Sequence, residues 1–250
     1  SKGVRSSQAI SIILDRSSLL NLTIRLKKLL YQHIYIYMKY VVAGSTGLIG
    51  KNLINIISKE NEVIALTRRN FNFPDNVSEK IVDFDKEYDL PKANHLFICL
   101  GFPVELLDLV IMRNSTKTLF HKVDYEYVCK LAIKAKNSGI ENISVVSAVG
   151  ASKYSINYYL KTKGLMEEQL KKLNFHTLNI FQPSHLLGER EKPIGHDVKL
   201  FEDITNATGS LLFGPLAKFK NVQANEISNL MFEKSKDLNK GINYFNRMDI

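Results

Sequence analysis

The chain has 250 residues, of which 45% are hydrophobic and 24% charged, so it is long and apolar enough to form one large globular domain. It contains no internal repeat and no low-complexity tract, which excludes a repeat protein. Its only cysteines are Cys99 and Cys129. They are too few for a disulfide framework and not spaced for a zinc site, so we predict no metal and expect two small buried side chains in a reducing compartment.

Residues 1–37 differ from the rest of the chain in charge. They hold six basic residues against Asp15 alone, a net +5 out of the formal +9, which leaves +4 for residues 38–250. A basic balance can indicate a nucleic-acid partner. We expect no specific nucleic-acid partner here, because over half of the charge lies in this leader. The leader is also too interrupted by charged residues to span a bilayer.

Two interpretations of the leader stay open. Its Ser-rich, basic and acid-poor composition is typical of a transit peptide. Alternatively, it is upstream sequence, and the native start is Met38, the first methionine of the chain. We favour the second interpretation, since Met38 leads directly into the first predicted strand. We therefore predict a leader over 1–37 outside the fold, a domain over 38–250, and a cytoplasmic location, or an organellar one if the leader is a transit peptide.

The most informative stretch is residues 41–50, which read Val-Val-Ala-Gly-Ser-Thr-Gly-Leu-Ile-Gly. An apolar run that stops at glycines and continues as an amphipathic stretch predicts a strand, a tight turn and a helix. Backbone N–H groups at such a helix N-terminus can bind a pyrophosphate. The GxxGxxG spacing is a variant of the dinucleotide fingerprint. We predict cofactor binding by Gly44, Ser45, Thr46, Gly47, Leu48, Ile49 and Gly50.

Strands and helices alternate through the rest of the chain. This order predicts an α/β fold, a doubly wound parallel-sheet Rossmann fold, with a small C-terminal substrate-side region. Ligands of such sheets bind beyond the carboxyl ends of the strands, where Gly44, Arg68, Gly101, Ser147 and Pro183 fall. Strands are predicted at 40–43, 62–66, 80–83, 95–100, 143–147 and 176–181, and helices at 51–58, 122–137, 158–173 and 224–233.

The residues after the second strand indicate which dinucleotide binds. An NAD site usually has a carboxylate there for the ribose 2′-OH, whereas this chain has Thr67, Arg68 and Arg69. A guanidinium can pair with a 2′-phosphate. We therefore predict binding of NADP(H) by Arg68 and Arg69 in preference to NAD; the alternative is a pair of solvated surface arginines.

The spacing of three polar residues predicts a catalytic site for carbonyl reduction. Tyr159 and Lys163 are four apart on one helix face, and Ser147 ends the preceding strand. A lysine ammonium stabilises a phenolate and lowers the tyrosine pKa from about 10. Tyr159 would then protonate a carbonyl oxygen, Ser147 would donate a hydrogen bond to it, and Lys163 would hold the nicotinamide ribose. The alternatives are structural: a packed tyrosine, a solvated lysine and a strand-end serine.

With the glycine turn, Ser147, Tyr159 and Lys163 in this order, residues 38–250 resemble the short-chain dehydrogenase/reductase superfamily. Within it, they are most similar to the atypical branch of Tat-interacting-protein-like oxidoreductases. Further stretches that carry the resemblance are Thr67-Arg68-Arg69, Val82-Asp83-Phe84-Asp85, Cys99-Leu100-Gly101 and Val123-Asp124-Tyr125-Glu126-Tyr127-Val128.

The resemblance implies further cofactor contacts. Asp83 and Phe84 would flank the adenine, Leu100 and Gly101 would pass close to the cofactor, and Pro183 and Ser184 would border the nicotinamide. This sequence departs from the family pattern at two positions. Asp124 stands where many relatives have Asn, and Gln182 stands where an Arg often precedes the proline.

The predicted function is an NADPH-dependent oxidoreductase that reduces a small carbonyl substrate. Residues 184–220, rich in Gly and Pro, are expected to form a lid of loops over the cleft. Since members of this branch include regulatory proteins, the alternative is a catalytically weak NADPH-binding regulatory or scaffold protein acting through a protein partner. A homodimer is compatible with either function.

Overall fold

The computed structural model describes residues 21–26, 38–104, 108, 111–184, 186–187, 221–237 and 240–250. The chain divides into two compact units, 1–37 and 38–250. In the first unit, the described residues 21–26 are helical and exposed. Among the described residues, no helix is both long and apolar enough to cross a membrane. Apart from 184 and 186–187, the predicted lid lies outside the described residues.

The second unit is built on a seven-stranded, all-parallel sheet with the strand order β3-β2-β1-β4-β5-β6-β9. This confirms the predicted doubly wound α/β fold. A two-stranded parallel pair, β7 with β8, lies outside this sheet. The strands are β1 (Lys39–Ala43), β2 (Glu62–Thr67), β3 (Val77–Ile81), β4 (His95–Ile98), β5 (Asn142–Val146), β6 (Thr177–Phe181), β7 (Leu186–Leu187), β8 (Val222–Gln223) and β9 (Gly241–Phe245).

Helices cover the sheet, and the strands between them are buried runs of apolar side chains, as a parallel sheet requires. The first helix packs against the last one, and the two central helices pack against each other. The helical elements are α1 (Leu48–Ile57), α2 (Asn114–His121), a π segment (Lys122–Tyr127), α3 (Val128–Asn137), α4 (Tyr158–Lys171), α5 (Ala224–Lys236) and a short 3-10 turn (Arg247–Asp249).

The stretch predicted as a helix over 122–137 is helical throughout, but its first part is of the π type. The helical stretch begins earlier, with α2, and runs through the π segment into α3. A π segment closes wider turns than an α-helix and therefore rotates its side chains relative to the regular α-helical period. Within the π segment the charged side chain of Asp124 is buried, which matters for the site described next.

Candidate dinucleotide and catalytic site

The glycine turn brings three backbone segments into close contact. Gly44 has a φ of +78°, and a Cβ atom there would lie 2.4 Å from the carbonyl oxygen of Cys99, the residue that follows the neighbouring strand β4. A Cβ atom on Gly50 would lie 2.1 Å from the carbonyl oxygen of Gly44. Gly47 precedes α1 without a side-chain cap, and the first turn of α1 has no acidic residue. The turn thus has the backbone geometry and the electrostatics that suit an anion.

Not every residue of the predicted turn faces outward. The hydroxyl of Ser45 is buried and donates a hydrogen bond of 2.9 Å to the carbonyl of Leu66, which ties the turn to the end of β2. Ile49 and Gly50 are buried in the first turn of α1. Ser45 and Gly50 therefore shape the turn. The side chain of Ser45 and the Cα atom of Gly50 pack against other parts of the protein and are not free to contact a ligand.

A pocket of about 570 Å³, open to solvent, lies at the carboxyl ends of β1, β2 and β4. Seven of the predicted cofactor residues line it: Gly44, Thr46, Gly47, Arg68, Phe84, Leu100 and Gly101. The predicted residues outside its lining on this side of the cleft are Ser45, Leu48, Ile49, Gly50, Arg69 and Asp83.

One wall of the pocket is not predicted from the sequence. Val123 and Tyr127, both in the π segment, line it opposite the glycine turn. The rings of Tyr127 and Phe84 are stacked, with centroids 5.4 Å apart and an angle of 27° between planes. Their helical spacing predicts that Val123 and Tyr127 share one inward-facing stripe, and the only signal for a role at the site is their place in the family-like stretch 123–128. The wall offers flat apolar surface of the kind that a nucleobase contacts.

A carboxylate lies close to the end of β2, where none is expected from the sequence. Glu79 on β3 accepts hydrogen bonds from the Thr67 hydroxyl (2.8 Å) and the Phe71 amide (3.0 Å). Both bonds hold the chain as it leaves β2. Glu79 does not line the pocket, whereas Arg68 is exposed and does.

The catalytic candidates lie at the ends of β5 and α4. The ammonium of Lys163 is 2.7 Å from a carboxylate oxygen of Asp124, and the side chains are only 5% and 3% exposed. The other oxygen of Asp124 accepts a 2.7 Å hydrogen bond from the amide of Phe102, next to the pocket residue Gly101. Burial lowers the pKa of Lys163, but the charges of Asp124 and Tyr159 more than offset this, so that its pKa is raised.

Tyr159 is half-buried beside this ion pair, and its ring stacks on Phe120 at 5.1 Å. Its pKa is raised, chiefly by burial; Lys163 lowers it and Asp124 raises it. The pKa of Tyr159 is thus raised and not lowered as expected, mainly because the effect of burial exceeds that of the lysine charge, and the carboxylate of Asp124 adds to the rise.

The side chain of Ser147 also forms a hydrogen bond inside the protein. Its buried hydroxyl donates a 2.5 Å hydrogen bond to Glu167 on α4, and the side-chain amide of Gln182 donates a 2.9 Å bond to the same carboxylate oxygen. Burial raises the pKa of Glu167, and the bonds from Ser147 and Gln182 lower it by less. Neither Glu167 nor its link to Gln182 is predicted from the sequence.

The two predicted residues after β6 lie next to this group. The carbonyl of Pro183 accepts a 3.0 Å hydrogen bond from the amide of Val149, and Ser184 is half-buried. The end of β6 is thereby joined to the loop that follows β5. The predicted nicotinamide-side residues thus surround the carboxyl ends of two neighbouring strands.

Comparisons with known proteins agree with this architecture. The protein HTATIP2 of Rattus norvegicus is 33% identical over 162 residues, which cover 60% of this chain and 64%, less than two thirds, of the rat protein. The mitochondrial protein FMP52 of Debaryomyces hansenii is 30% identical over 189 residues, 73% of this chain and 80% of that protein. This chain belongs to the FMP52 family. The resemblance to Tat-interacting-protein-like members of the short-chain dehydrogenase/reductase superfamily is thereby confirmed.

The fold of this FMP52-family chain recurs in distant enzymes. A UDP-glucuronic acid 4-epimerase from Bacillus cereus, solved in complex with NAD, superposes with a TM-score of 0.60 over 84% of this chain and 77% of the epimerase, at 12% identity. The likeness shows a Rossmann fold of the nucleotide-binding type. No family model matches the chain.

Proposed function

We propose that the chain is an NADPH-dependent oxidoreductase that reduces a small carbonyl compound, with Tyr159 as the proton donor. The observation that carries the proposal is the continuity of the site. From Gly101 in the nucleotide pocket, the backbone leads to Phe102, whose amide binds Asp124, which in turn binds Lys163 one helical turn from Tyr159. The nucleotide pocket and the proposed proton donor are therefore connected by a continuous chain of contacts.

The residues present fit a phosphorylated dinucleotide. Gly44, Thr46 and Gly47 would hold the pyrophosphate at the start of α1, where a Cβ atom has no room at Gly44. Phe84 and Tyr127 would contact the adenine. NADPH supplies a hydride when bound. Relatives of this fold bind NAD, as in the epimerase complex.

Arg68 favours NADPH over NADH in this proposal. Its guanidinium is exposed at the pocket edge and carries the charge that a 2′-phosphate needs. The nearby carboxylate of Glu79 binds Thr67 and the backbone of Phe71 through one of its oxygens and does not line the pocket.

In the proposed reaction, the carbonyl carbon gains a hydride and the carbonyl oxygen gains the phenolic proton of Tyr159, which gives an alcohol. The phenolate then recovers a proton from solvent. The raised pKa of Tyr159 suits this direction, because the donor must be a phenol before the step. Lys163 stabilises the phenolate that remains.

The test is a fluorescence titration with NADPH and NADH, followed by a screen of aldehydes and ketones. Tyr159→Phe is the decisive variant, since phenylalanine keeps the stacking on Phe120 but has no proton to give. We expect cofactor binding to persist and turnover to fall at least about a hundredfold. Unchanged turnover would refute the assignment of Tyr159. NADPH binding without turnover on any carbonyl, even in the wild type, would favour the regulatory or scaffold function instead.

We also propose a mitochondrial location. The FMP52 relatives carry the word mitochondrial in their names, and the basic, acid-poor residues 1–37 have a transit-peptide composition. A fluorescent protein fused behind residues 1–37 should enter mitochondria. If it stays in the cytosol, this part of the proposal fails while the enzymatic part stands.

A further inference from the structure

The buried ion pair between Asp124 and Lys163 is not required by the proposed reaction. That reaction calls for a cation near Tyr159, which Lys163 alone provides. Here the cation is matched at 2.7 Å by a carboxylate, and both side chains are almost fully buried. The carboxylate also accepts a hydrogen bond, through its other oxygen, from the amide of Phe102, and Asp124 is buried within the π segment.

We infer that Asp124 is a positioning residue that holds Lys163 in a neutral ion pair, so that Tyr159 stays a phenol, the form that carbonyl reduction consumes. The inference rests on the proposed function for the reaction itself, but its electrostatic part concerns the protein without cofactor or substrate.

Charge balance explains the effect. With Asp124 ionised and Lys163 protonated, the pair is neutral, and ionisation of Tyr159 leaves a net negative charge in a buried site. Without the carboxylate, the same ionisation would convert a net positive site into a neutral one. Buried sites disfavour net charge, so the carboxylate makes the phenolate harder to form.

The other groups around Tyr159 do not reverse this charge balance. In the described part of the chain, the charged groups that act on Tyr159 are Lys163 on its own helix and Asp124 on the π segment. Glu167, one turn further along α4, acts on Lys163 in the same sense as Asp124. From α2, Tyr159 meets the uncharged ring of Phe120.

The protonation form of Tyr159 matters for the proposed step. Reduction of a carbonyl consumes the phenol, whereas the reverse oxidation of an alcohol needs the phenolate as base. A site that keeps Tyr159 protonated therefore holds, at neutral pH, the proton that reduction consumes.

The test is a pH titration of phenolate absorbance in the protein without cofactor. Subtracting the curve of the matching Tyr159→Phe protein isolates Tyr159 from the other tyrosines. Asp124→Asn keeps an acceptor oxygen for Phe102 but removes the charge. We expect the Tyr159 transition about one to three pH units lower in Asp124→Asn than in the wild type, which is the effect of one nearby charge. Glu141→Gln, which removes an exposed carboxylate paired with Lys136, should leave the transition in place.

An unchanged transition in Asp124→Asn overturns the inference, as does loss of the proton from Lys163 with no earlier phenolate. If Asp124→Asn does not fold, Asp124→Ser, which also removes the charge, takes its place: a Tyr159 transition lower than in the wild type supports the inference, and an unchanged one overturns it. Because no turnover is measured, a failure of the proposed function leaves this result standing.

Discussion

The hydroxyl of Ser147 donates its hydrogen bond to the buried carboxylate of Glu167, at 2.5 Å. A serine has one hydroxyl proton, so Ser147 cannot donate to Glu167 and to a substrate oxygen at the same time. The side-chain amide of Gln182 donates a hydrogen bond of 2.9 Å to the same carboxylate oxygen. If Ser147 donated its hydrogen bond to a substrate in the proposed enzyme, Glu167 would lose that bond. Of the two side-chain donors, Gln182 would then remain on the Glu167 oxygen.

Gln182→Leu should destabilise the fold. The variant removes one of two donors from a buried carboxylate oxygen, which costs about 1–3 kcal/mol. Urea unfolding of both proteins measures the difference. The control is the same change in a Glu167→Gln background, where no buried charge is left unpaired and the loss should be smaller. An equal loss in both backgrounds would show that Gln182 acts through packing instead of through Glu167.

Glu167 should make stability fall as pH rises. Burial raises its pKa in the folded state, so between the ordinary glutamate pKa of about 4.3 and the raised value the folded protein binds more protons than the unfolded one. The contribution of Glu167 to the free energy of unfolding is fully present below that window and is lost as the pH rises through it. Glu167→Gln has no titrating group at this position. The free energy of unfolding of the variant minus that of the wild type should therefore increase as the pH rises across the window. A pH-independent difference, measured by urea unfolding, would contradict this.

Arg68 and Arg69 should differ in their effect on cofactor choice. Arg68 lines the pocket and Arg69 does not. Arg68→Ala should weaken NADPH binding roughly tenfold or more through loss of charge-assisted hydrogen bonds, and should change NADH binding little. Arg69→Ala is the matched control and should affect neither cofactor strongly. Equal losses of NADPH and NADH in Arg68→Ala, measured by fluorescence titration, would exclude a 2′-phosphate contact.

Much of the fold can be predicted from the sequence because buried parallel strands are continuous apolar runs. β1, β4, β5 and β6 each begin or end within two residues of their predicted bounds. β3 is placed less well, since among its five residues only Val77 is buried. β9 is not predicted, because its residues alternate between half-buried and exposed at the edge of the sheet.

The charged part of the site is harder to predict because it depends on tertiary contacts. Glu167 and Glu168 are neighbours in the sequence, yet Glu167 is buried against Ser147 and Glu168 pairs with Lys171 and Lys153 on the surface. No local pattern separates the two. Likewise, the π segment that buries Asp124 is a change of backbone hydrogen bonding, and residue composition carries no signal for it.

The chain that starts at Met38 should fold and bind NADPH without residues 1–37. The sheet begins with Lys39, and the described apolar core cluster is formed wholly by residues after Met38. These residues also form a compact unit by themselves. A protein of residues 38–250 should therefore melt within a few degrees of the full chain and bind NADPH with the same affinity, as measured by calorimetry and fluorescence titration. A large drop in melting temperature would show that the leader contributes to the folded domain, and the predicted domain boundary would then be wrong.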